Sequence, residues 1–264
     1  GVWLTNIGYW GFNQYIIQRA LAAKDLKEAQ KGVLFAAFLK LLMPVIVVLP
    51  GIAAVVLAPS LDRPDQAYPT MMRLLPSGIL GLVFAALVAA IVASLASKIN
   101  SVATIFTLDF YAKMRPDAGQ PKLVRVGRIA AALSVLIGIL TAKPLLGSFD
   151  QAFQYIQEYT GFFTPGIVVI FVLGLFWKRA NEAGALAASI GSFALSIVLK
   201  LAWPSLPFID RVGLVFLLAL ALAVGVSLAT AAQREGSGLI RTDDVDYSTT
   251  AGFNVGARGV VAIL

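Results

Sequence analysis

Apolar residues in this chain are grouped into long blocks, and polar residues collect between the blocks. Runs of about 18 or more apolar residues have the length that crosses a bilayer as an α-helix. We therefore predict an all-α, polytopic transmembrane helical bundle in which residues 1–264 form a single domain. The predicted spans are about 3–17, 32–58, 77–108, 124–146, 153–177, 183–203 and 212–232, with a partial span at 252–264 and a polar cytoplasmic linker at 233–250.

Basic residues alternate between the predicted loops. Of the 21 Lys and Arg, thirteen lie in the loops after the first, third, fifth and seventh spans, and five lie in the intervening loops. Basic loops favour the cytoplasmic side, so the loop after the first span is predicted to be cytoplasmic. The chain also begins inside an apolar run with no signal peptide before it, and we expect it to be part of a longer protein.

Composition narrows the function classes. Hydrophobic residues make up 59% of the chain and charged residues 13%, about half the charged fraction of an average soluble domain. The chain has no cysteine and no histidine, so thiol chemistry, the commonest metal ligand and the commonest general base are all absent. The net charge of +7 comes from scattered loop residues, which fits anionic lipid headgroups better than nucleic acid.

Lys40 is the first polar residue that needs an explanation, because it lies eight residues into a predicted span, about 12 Å along the helix. A lysine at this depth can carry its ammonium back to the interface along its flexible stem. It can also donate to a polar solute or pair with an acid such as Glu158. The sequence leaves these interpretations open.

One face of the third full span carries small and hydroxyl residues at helical spacing, namely Ala90, Ser94, Ser97, Ser101 and Thr104. Small residues let helices approach closely, so the simple interpretation is a packing stripe. A hydroxyl beside exposed carbonyls is also a site for a hard cation such as sodium, which prefers oxygen ligands.

A second polar face lies ahead of a helix-breaking motif. Gln154, Gln157 and Gly161 share one side of the fifth full span, and Thr164-Pro165-Gly166 follows them. The break is either an ordinary proline kink or a discontinuous helix of the kind that builds transport sites near the midplane of a membrane.

Several motifs together resemble the sodium/solute symporter family, and in particular its bacterial sodium/galactose branch. They occur in order along nearly the whole chain: Asn6-Ile7-Gly8-Tyr9-Trp10, Gln18-Arg19-Ala20-Leu21-Ala22-Ala23-Lys24, Phe38-Leu39-Lys40-Leu41, Asp65-Gln66-Ala67-Tyr68-Pro69, Ala93-Ser94-Leu95-Ala96-Ser97, Asn100-Ser101, Thr104-Ile105-Phe106-Thr107-Leu108-Asp109, Tyr155-Ile156-Gln157-Glu158 and Phe176-Trp177-Lys178-Arg179.

The resemblance implies the later part of a LeuT-type inverted-repeat transporter, with a discontinuous helix at the N-terminus of this chain. Its partners would be a sugar, sodium, the lipid bilayer and the missing N-terminal helices of the same transporter. The implied function is sodium-coupled symport of a galactose- or glucose-like sugar by alternating access, in the inner (cytoplasmic) membrane. Inositol, sialic acid and proline remain alternative solutes.

The resemblance also implies roles for individual side chains that bind the sugar. The counterparts of Asn6, Lys40 and Gln157 hydrogen-bond the hydroxyls of the sugar. The counterpart of Tyr9 stacks on the pyranose ring as the inner gate, and Trp10 lies beside it. Amides and an ammonium suit a ligand rich in hydroxyls, and an aromatic face suits the apolar side of the ring.

The implied sodium site takes oxygens from the Ala90 carbonyl, position 93 and Ser94. Ala93 departs from the family pattern, because many members have a serine or threonine there. Ser94 is therefore the single hydroxyl of this pair, and we expect a lower sodium affinity.

Two other function classes are weaker. An intramembrane enzyme would have to use Asp109, Glu158, Asp243 or Asp244, and these acids do not form a paired-aspartate, nucleophile or metal motif. A channel would be expected to show a repeated filter or a ring of charges, and the sequence shows neither.

Overall fold

The computed structural model describes residues 1–146, 152–230 and 246–263, and these residues form helices joined by short connections without any strand. The thirteen α-helices of the described residues are α1 Val2–Phe12, α2 Gln14–Leu21, α3 Leu26–Lys40, α4 Leu49–Leu57, α5 Ala67–Met72, α6 Ser77–Ile105, α7 Ala112–Met114, α8 Gln120–Leu146, α9 Ala152–Thr160, α10 Thr164–Phe176, α11 Glu182–Ala202, α12 Phe208–Ala229 and α13 Ala251–Ile263. Two π-helical turns, Pro44–Val48 and Phe106–Tyr111, and one 3₁₀ turn, Pro64–Gln66, complete the elements.

Five helical segments of the described chain are long and apolar enough to cross a membrane: Leu26–Leu57, Ser77–Met114, Gln120–Lys143, Glu182–Ala202 and Phe208–Ala229. A sixth span results if α9 and α10, which are bent by 42° at a short break, are counted together. The prediction of an all-α, polytopic membrane protein is therefore confirmed for the described residues.

The described chain divides into two compact units. The first unit contains Gly1–Ala29 and Phe153–Ala251, and the second contains Gln30–Ala152 and Gly252–Leu264. In the first unit, α10, α11 and α12 pack against one another, and α1 packs against α10 and α12. The core of this unit consists of small and β-branched residues, namely Val169, Ala188, Ala219 and Ala223.

Small residues set the distance between the helices of the first unit. A Cβ atom added to Gly184 of α11 would lie 2.8 Å from the carbonyl oxygen of Ala223 on α12. One added to Gly166 of α10 would lie 2.8 Å from the carbonyl oxygen of Ala188 on α11. In lipid, the hydrophobic effect does not favour contact between helices, because the lipid tails are as apolar as the side chains. Helices there associate through close packing of their backbones at small residues.

In the second unit, α6 packs against α8, and α4 packs against α5 and the Pro44–Val48 turn. Its apolar side chains largely face outward, and Val56 is 76% exposed. Outward-facing apolar residues are expected where the solvent is lipid. The predicted cytoplasmic linker 233–250 lies outside the described residues up to position 245, as do Asp243 and Asp244.

Candidate functional site

The first helix is discontinuous. Asn13, between α1 and α2, has an extended backbone (φ −87°, ψ 118°), and its carbonyl accepts bonds from Ile16 and Ile17 as α2 begins. Gly11 and Asn13 have low helix propensity, which weakens the helix at this point. The rings of Phe12 and Phe171 stack in parallel 4.5 Å apart, and this contact fixes the end of α1 on α10.

Tyr9 and Trp10 lie together at the C-terminal half of α1, where their rings meet edge to face with centroids 5.3 Å apart. Tyr15, beyond the break in α2, donates its hydroxyl to the Tyr9 hydroxyl, and the two rings lie 5.9 Å apart. Both Tyr9 and Trp10 are partly exposed, at 42% and 38%. The role of Tyr15 could not be predicted from the sequence, because a contact across a helix break does not follow helical spacing.

Asn6 lies one turn before Tyr9 and has an exposed side chain. Its amide nitrogen donates to the Val2 carbonyl, 3.0 Å away. An amide has two N–H donors and a carbonyl acceptor, so this contact leaves capacity for a hydroxyl-rich ligand.

Gln157 lies on α9, half-buried and just before the bend. Pro165 follows at the start of α10, and because proline has no N–H it cannot bond the Gly161 carbonyl as a helix would require. The Thr160 hydroxyl donates to the Gln157 carbonyl at 3.0 Å, and the Thr164 hydroxyl donates to the Thr160 carbonyl at 2.9 Å. Side-chain hydroxyls therefore satisfy backbone carbonyls at the bend.

Glu158, the next residue on α9, lies in a cluster of charges whose members are far apart in the sequence. Its Oε1 accepts from the Arg211 guanidinium at 2.7 Å and lies 3.1 Å from the Lys200 ammonium. Lys200 is near the end of α11 and Arg211 is near the start of α12. These two cations are the partners that the structure gives to Glu158, whereas the sequence suggested Lys40 as one candidate.

Lys40 is the last residue of α3 and is exposed. Pro44 opens the π-helical turn Pro44–Val48, and its missing N–H removes the α-helical donor for the Lys40 carbonyl. The lysine therefore lies at a change in helical geometry inside a long apolar segment. Wide helical turns of this kind occur frequently at functional sites.

The three residues of the predicted sodium site, Ala90, Ala93 and Ser94, are all exposed on α6. The Ser97 hydroxyl donates to the Ala93 carbonyl at 2.8 Å, within the same helix. Backbone and hydroxyl oxygens are the donor set that a sodium ion requires. With alanine at position 93, the side-chain oxygen on this part of the face comes from Ser94.

A cavity of about 220 Å³ lies between α10, α11 and α12. Its walls are mainly apolar and include Val169, Leu173 and Ala188, with Asn181 at one end. It contains none of the residues predicted to bind solute or sodium. Since a sugar needs several hydroxyl partners, this cavity does not suit it.

These features define a multi-span helical membrane protein with broken helices and with amide, hydroxyl and aromatic groups near the breaks. The sequence profile of the Sodium:solute symporter family matches residues 2–191. The chain belongs to this family, as the motifs predicted. Among known proteins it is 46% identical to the sodium/glucose cotransporter of Vibrio parahaemolyticus, over all of this chain and 52% of that protein.

Two mammalian proteins are also similar in sequence to this chain. The chain is 39% identical to the human sodium/myo-inositol cotransporter 2, over 75% of this chain and 32% of that protein. It is 35% identical to the bovine sodium/mannose cotransporter, over 78% of this chain and 38% of that protein. The chain thus spans about half the length of the bacterial relative, and about a third of the mammalian ones.

Proposed function

We propose that the protein couples the movement of a sugar to the movement of sodium across the cytoplasmic (inner) membrane. Membership of the symporter family carries this proposal, and the names of the relatives point to hexoses and inositol as solutes. We propose further that this chain acts together with earlier helices of a LeuT-type transporter, which would supply the remaining ligands. Sodium is a co-substrate in this mechanism.

The side chains on α1 support a sugar as the solute. Asn6 has free amide capacity, and the edge-to-face pair Tyr9 and Trp10 presents aromatic surface next to the Asn13 break. Sugars combine hydroxyls with apolar C–H faces, and amide and aromatic groups match these two surfaces. In the proposed mechanism Tyr9 covers the ring of the sugar while Asn6, Lys40 and Gln157 bond its hydroxyls.

The energy for uptake comes from the sodium gradient and the membrane potential. One elementary charge that moves through 100 mV supplies about 2.3 kcal/mol. Because binding free energies are linked, sodium must raise the affinity for the sugar by the same factor by which the sugar raises the affinity for sodium.

Sugar binding is tested by Gln157→Ala and Lys40→Ala in the full-length protein. Each variant is expected to weaken sodium-driven uptake of labelled galactose or glucose by roughly tenfold, because each loses a hydrogen bond to the sugar and leaves a partner unpaired. Membrane insertion should be unchanged, since Lys40 is exposed and Gln157 is half-buried.

The chain offers matched controls for both variants. Gln154→Ala removes the same amide one turn earlier on α9, and Lys31→Ala removes the same ammonium earlier on α3. Both controls should transport as the wild type does. Wild-type uptake by Gln157→Ala and Lys40→Ala would remove these two residues from the sugar site.

The sodium site is tested by Ser94→Ala, which removes the side-chain oxygen on the proposed site. The sodium concentration for half-maximal uptake should rise by roughly five- to tenfold, which is the effect of losing one interaction about as strong as a hydrogen bond. Ser97→Ala is the matched control on α6, because it removes the same hydroxyl three residues from Ser94 at a position outside the proposed ligand set. If the sodium dependence of Ser94→Ala equals that of the wild type, Ser94 is not a ligand.

The choice of solute is tested by a panel of labelled galactose, glucose, mannose, myo-inositol, sialic acid and proline in vesicles that contain the full-length protein. A sugar should show the largest sodium-stimulated uptake. If inositol or proline shows the largest sodium-stimulated uptake, the proposed solute is wrong but the proposed coupling to sodium stands. Uptake that is independent of sodium would contradict the proposed coupling, and release of a chemically altered product would indicate an enzyme.

A further inference from the structure

Three charged side chains from three helices meet at one oxygen atom. Oε1 of Glu158 lies 2.7 Å from the Arg211 guanidinium nitrogen Nη2 and 3.1 Å from the Lys200 ammonium. The acid is on α9, and the two cations come from the ends of α11 and α12 that face each other across a short loop. The cluster therefore ties α9 to the α11–α12 pair.

The two cations differ greatly in burial. The side chain of Arg211 is 5% exposed, whereas that of Lys200 is 37% exposed and that of Glu158 is 26% exposed. The Phe162 ring lies 5.7 Å from the Arg211 guanidinium and 5.6 Å from the Lys200 ammonium, and it shields both from one side. Removal of a buried partner leaves an uncompensated charge, while an exposed pair contributes little. Arg211 is thus the dominant anchor of Glu158.

The anchor acts next to a residue of the proposed sugar site. Neighbouring residues on a helix point about 100° apart, so a fixed direction for Glu158 also fixes the direction of Gln157. Gly161 supports this arrangement, since a Cβ there would lie 2.9 Å from the Val212 side chain, next to Arg211. The chain just after α9 therefore lies against the start of α12.

We propose that Arg211, acting through the Glu158 carboxylate, is a positioning residue that sets the rotation of α9 and thereby the direction of Gln157. The proposal rests on the proposed function only where it concerns uptake. The cluster determines the affinity for the solute without touching the solute.

A matched pair of substitutions tests the geometry without any transport measurement. Gln157→Cys is introduced into the full-length protein after any other cysteines are replaced, which is simplified because this chain contains none. The rate of labelling by a water-soluble thiol reagent is then measured with Arg211→Met or Lys200→Met. We expect Arg211→Met to change this rate by roughly tenfold and Lys200→Met by less than about threefold, in the order of their burial.

Labelling at a distant position controls for general unfolding. Arg179 is exposed in the short loop between α10 and α11, away from the cluster, so Arg179→Cys provides the control position. Its labelling rate should be the same with and without Arg211→Met. An equal change at both positions would show that the variant is misfolded. The double variant Glu158→Gln with Arg211→Met, which removes the ion pair without leaving a buried lone charge, then takes its place in the same comparison.

The second measurement is sodium-driven sugar uptake by variants that keep the native Gln157. Arg211→Met should raise the sugar concentration for half-maximal uptake by roughly tenfold and alter the maximal rate less, because a misdirected amide weakens binding. Arg211→Lys should recover part of the affinity. The double variant Glu158→Gln with Arg211→Met leaves no buried lone charge, because the remaining cation, Lys200, is 37% exposed. It should therefore insert normally but keep the weakened affinity.

The outcomes separate the two proposals. If the wild type shows no sodium-driven sugar uptake, the proposed function fails, while the labelling at position 157 still decides whether Arg211 positions α9. An unchanged labelling rate in folded Arg211→Met, or in the double variant Glu158→Gln with Arg211→Met where the single variant is misfolded, overturns the inference. Full recovery of affinity in the double variant also overturns it, because the cluster would then serve stability alone.

Discussion

Gly166→Ala is expected to destabilise the protein, whereas Gly174→Ala on the same helix is expected to leave it unchanged or slightly more stable. A Cβ at position 166 would lie 2.8 Å from the Ala188 carbonyl oxygen and 2.5 Å from the Ser192 hydroxyl, so α10 and α11 would have to separate. Overpacking of this kind costs about 1–3 kcal/mol. At Gly174 a Cβ meets nothing within 4 Å, and alanine favours a helix over glycine by about 0.5–1 kcal/mol.

The measurement is the thermal unfolding midpoint in mild detergent for the wild type and the two variants. The comparison is informative, because the same residue change is made in the same helix and only position 166 lies against a neighbouring backbone. Gly166→Ala should also lower the amount of folded protein in the membrane. A Gly166→Ala variant as stable as the wild type would mean that α10 and α11 do not rely on this contact.

Asn181→Leu is expected to destabilise the protein by about 2–3 kcal/mol, from a lost helix cap and lost buried hydrogen bonds. The carbonyl oxygen of the Asn181 side chain accepts from the Gly184 N–H at 2.9 Å at the start of α11. Its amide nitrogen donates to the Ser227 carbonyl at 3.3 Å and to the Thr230 hydroxyl at 2.8 Å, both at the end of α12. One buried amide therefore caps one helix and holds it to another.

A graded series separates these contributions. Asn181→Ser keeps an oxygen for the cap but loses both donations to α12, so its unfolding midpoint should lie between those of the wild type and Asn181→Leu. Thr230→Val removes a single acceptor of Asn181 and should have the smallest effect. If Asn181→Ser and Asn181→Leu unfold together, the cap contributes nothing and the stability comes from the bonds to α12.

Much of the membrane architecture could be predicted because its causes are local in the sequence. Block length predicts spans, and the Thr164-Pro165-Gly166 motif indicated a break where the structure bends α9 against α10 by 42°. The π-helical turn after Lys40 has a sequence cause as well, in Pro44, but a proline alone does not specify which kind of irregular turn results. The resemblance supplied the family, which the comparison confirmed. The roles of the individual binding residues stay predictions.

The partners of the charged side chains could not be predicted. Lys200 and Arg211 are two of the five basic residues counted in the intervening loops, and Lys40 is one candidate partner for Glu158 from the sequence. The structure instead pairs Glu158 with Lys200 and Arg211. Tyr15 likewise gained its contact with Tyr9 only through the turn at Asn13.

By itself the sequence determined that the chain is a set of apolar helices, that one of them is interrupted at Thr164-Pro165-Gly166, and to which family the chain belongs. Hydrophobic runs, prolines and motifs act within a few residues of the chain. Only the tertiary structure decided which side chains meet, as at Glu158 and Asn181, and how closely α10, α11 and α12 approach. Such contacts join residues far apart in sequence, and their energies depend on burial and distance, which exist only once the helices have packed.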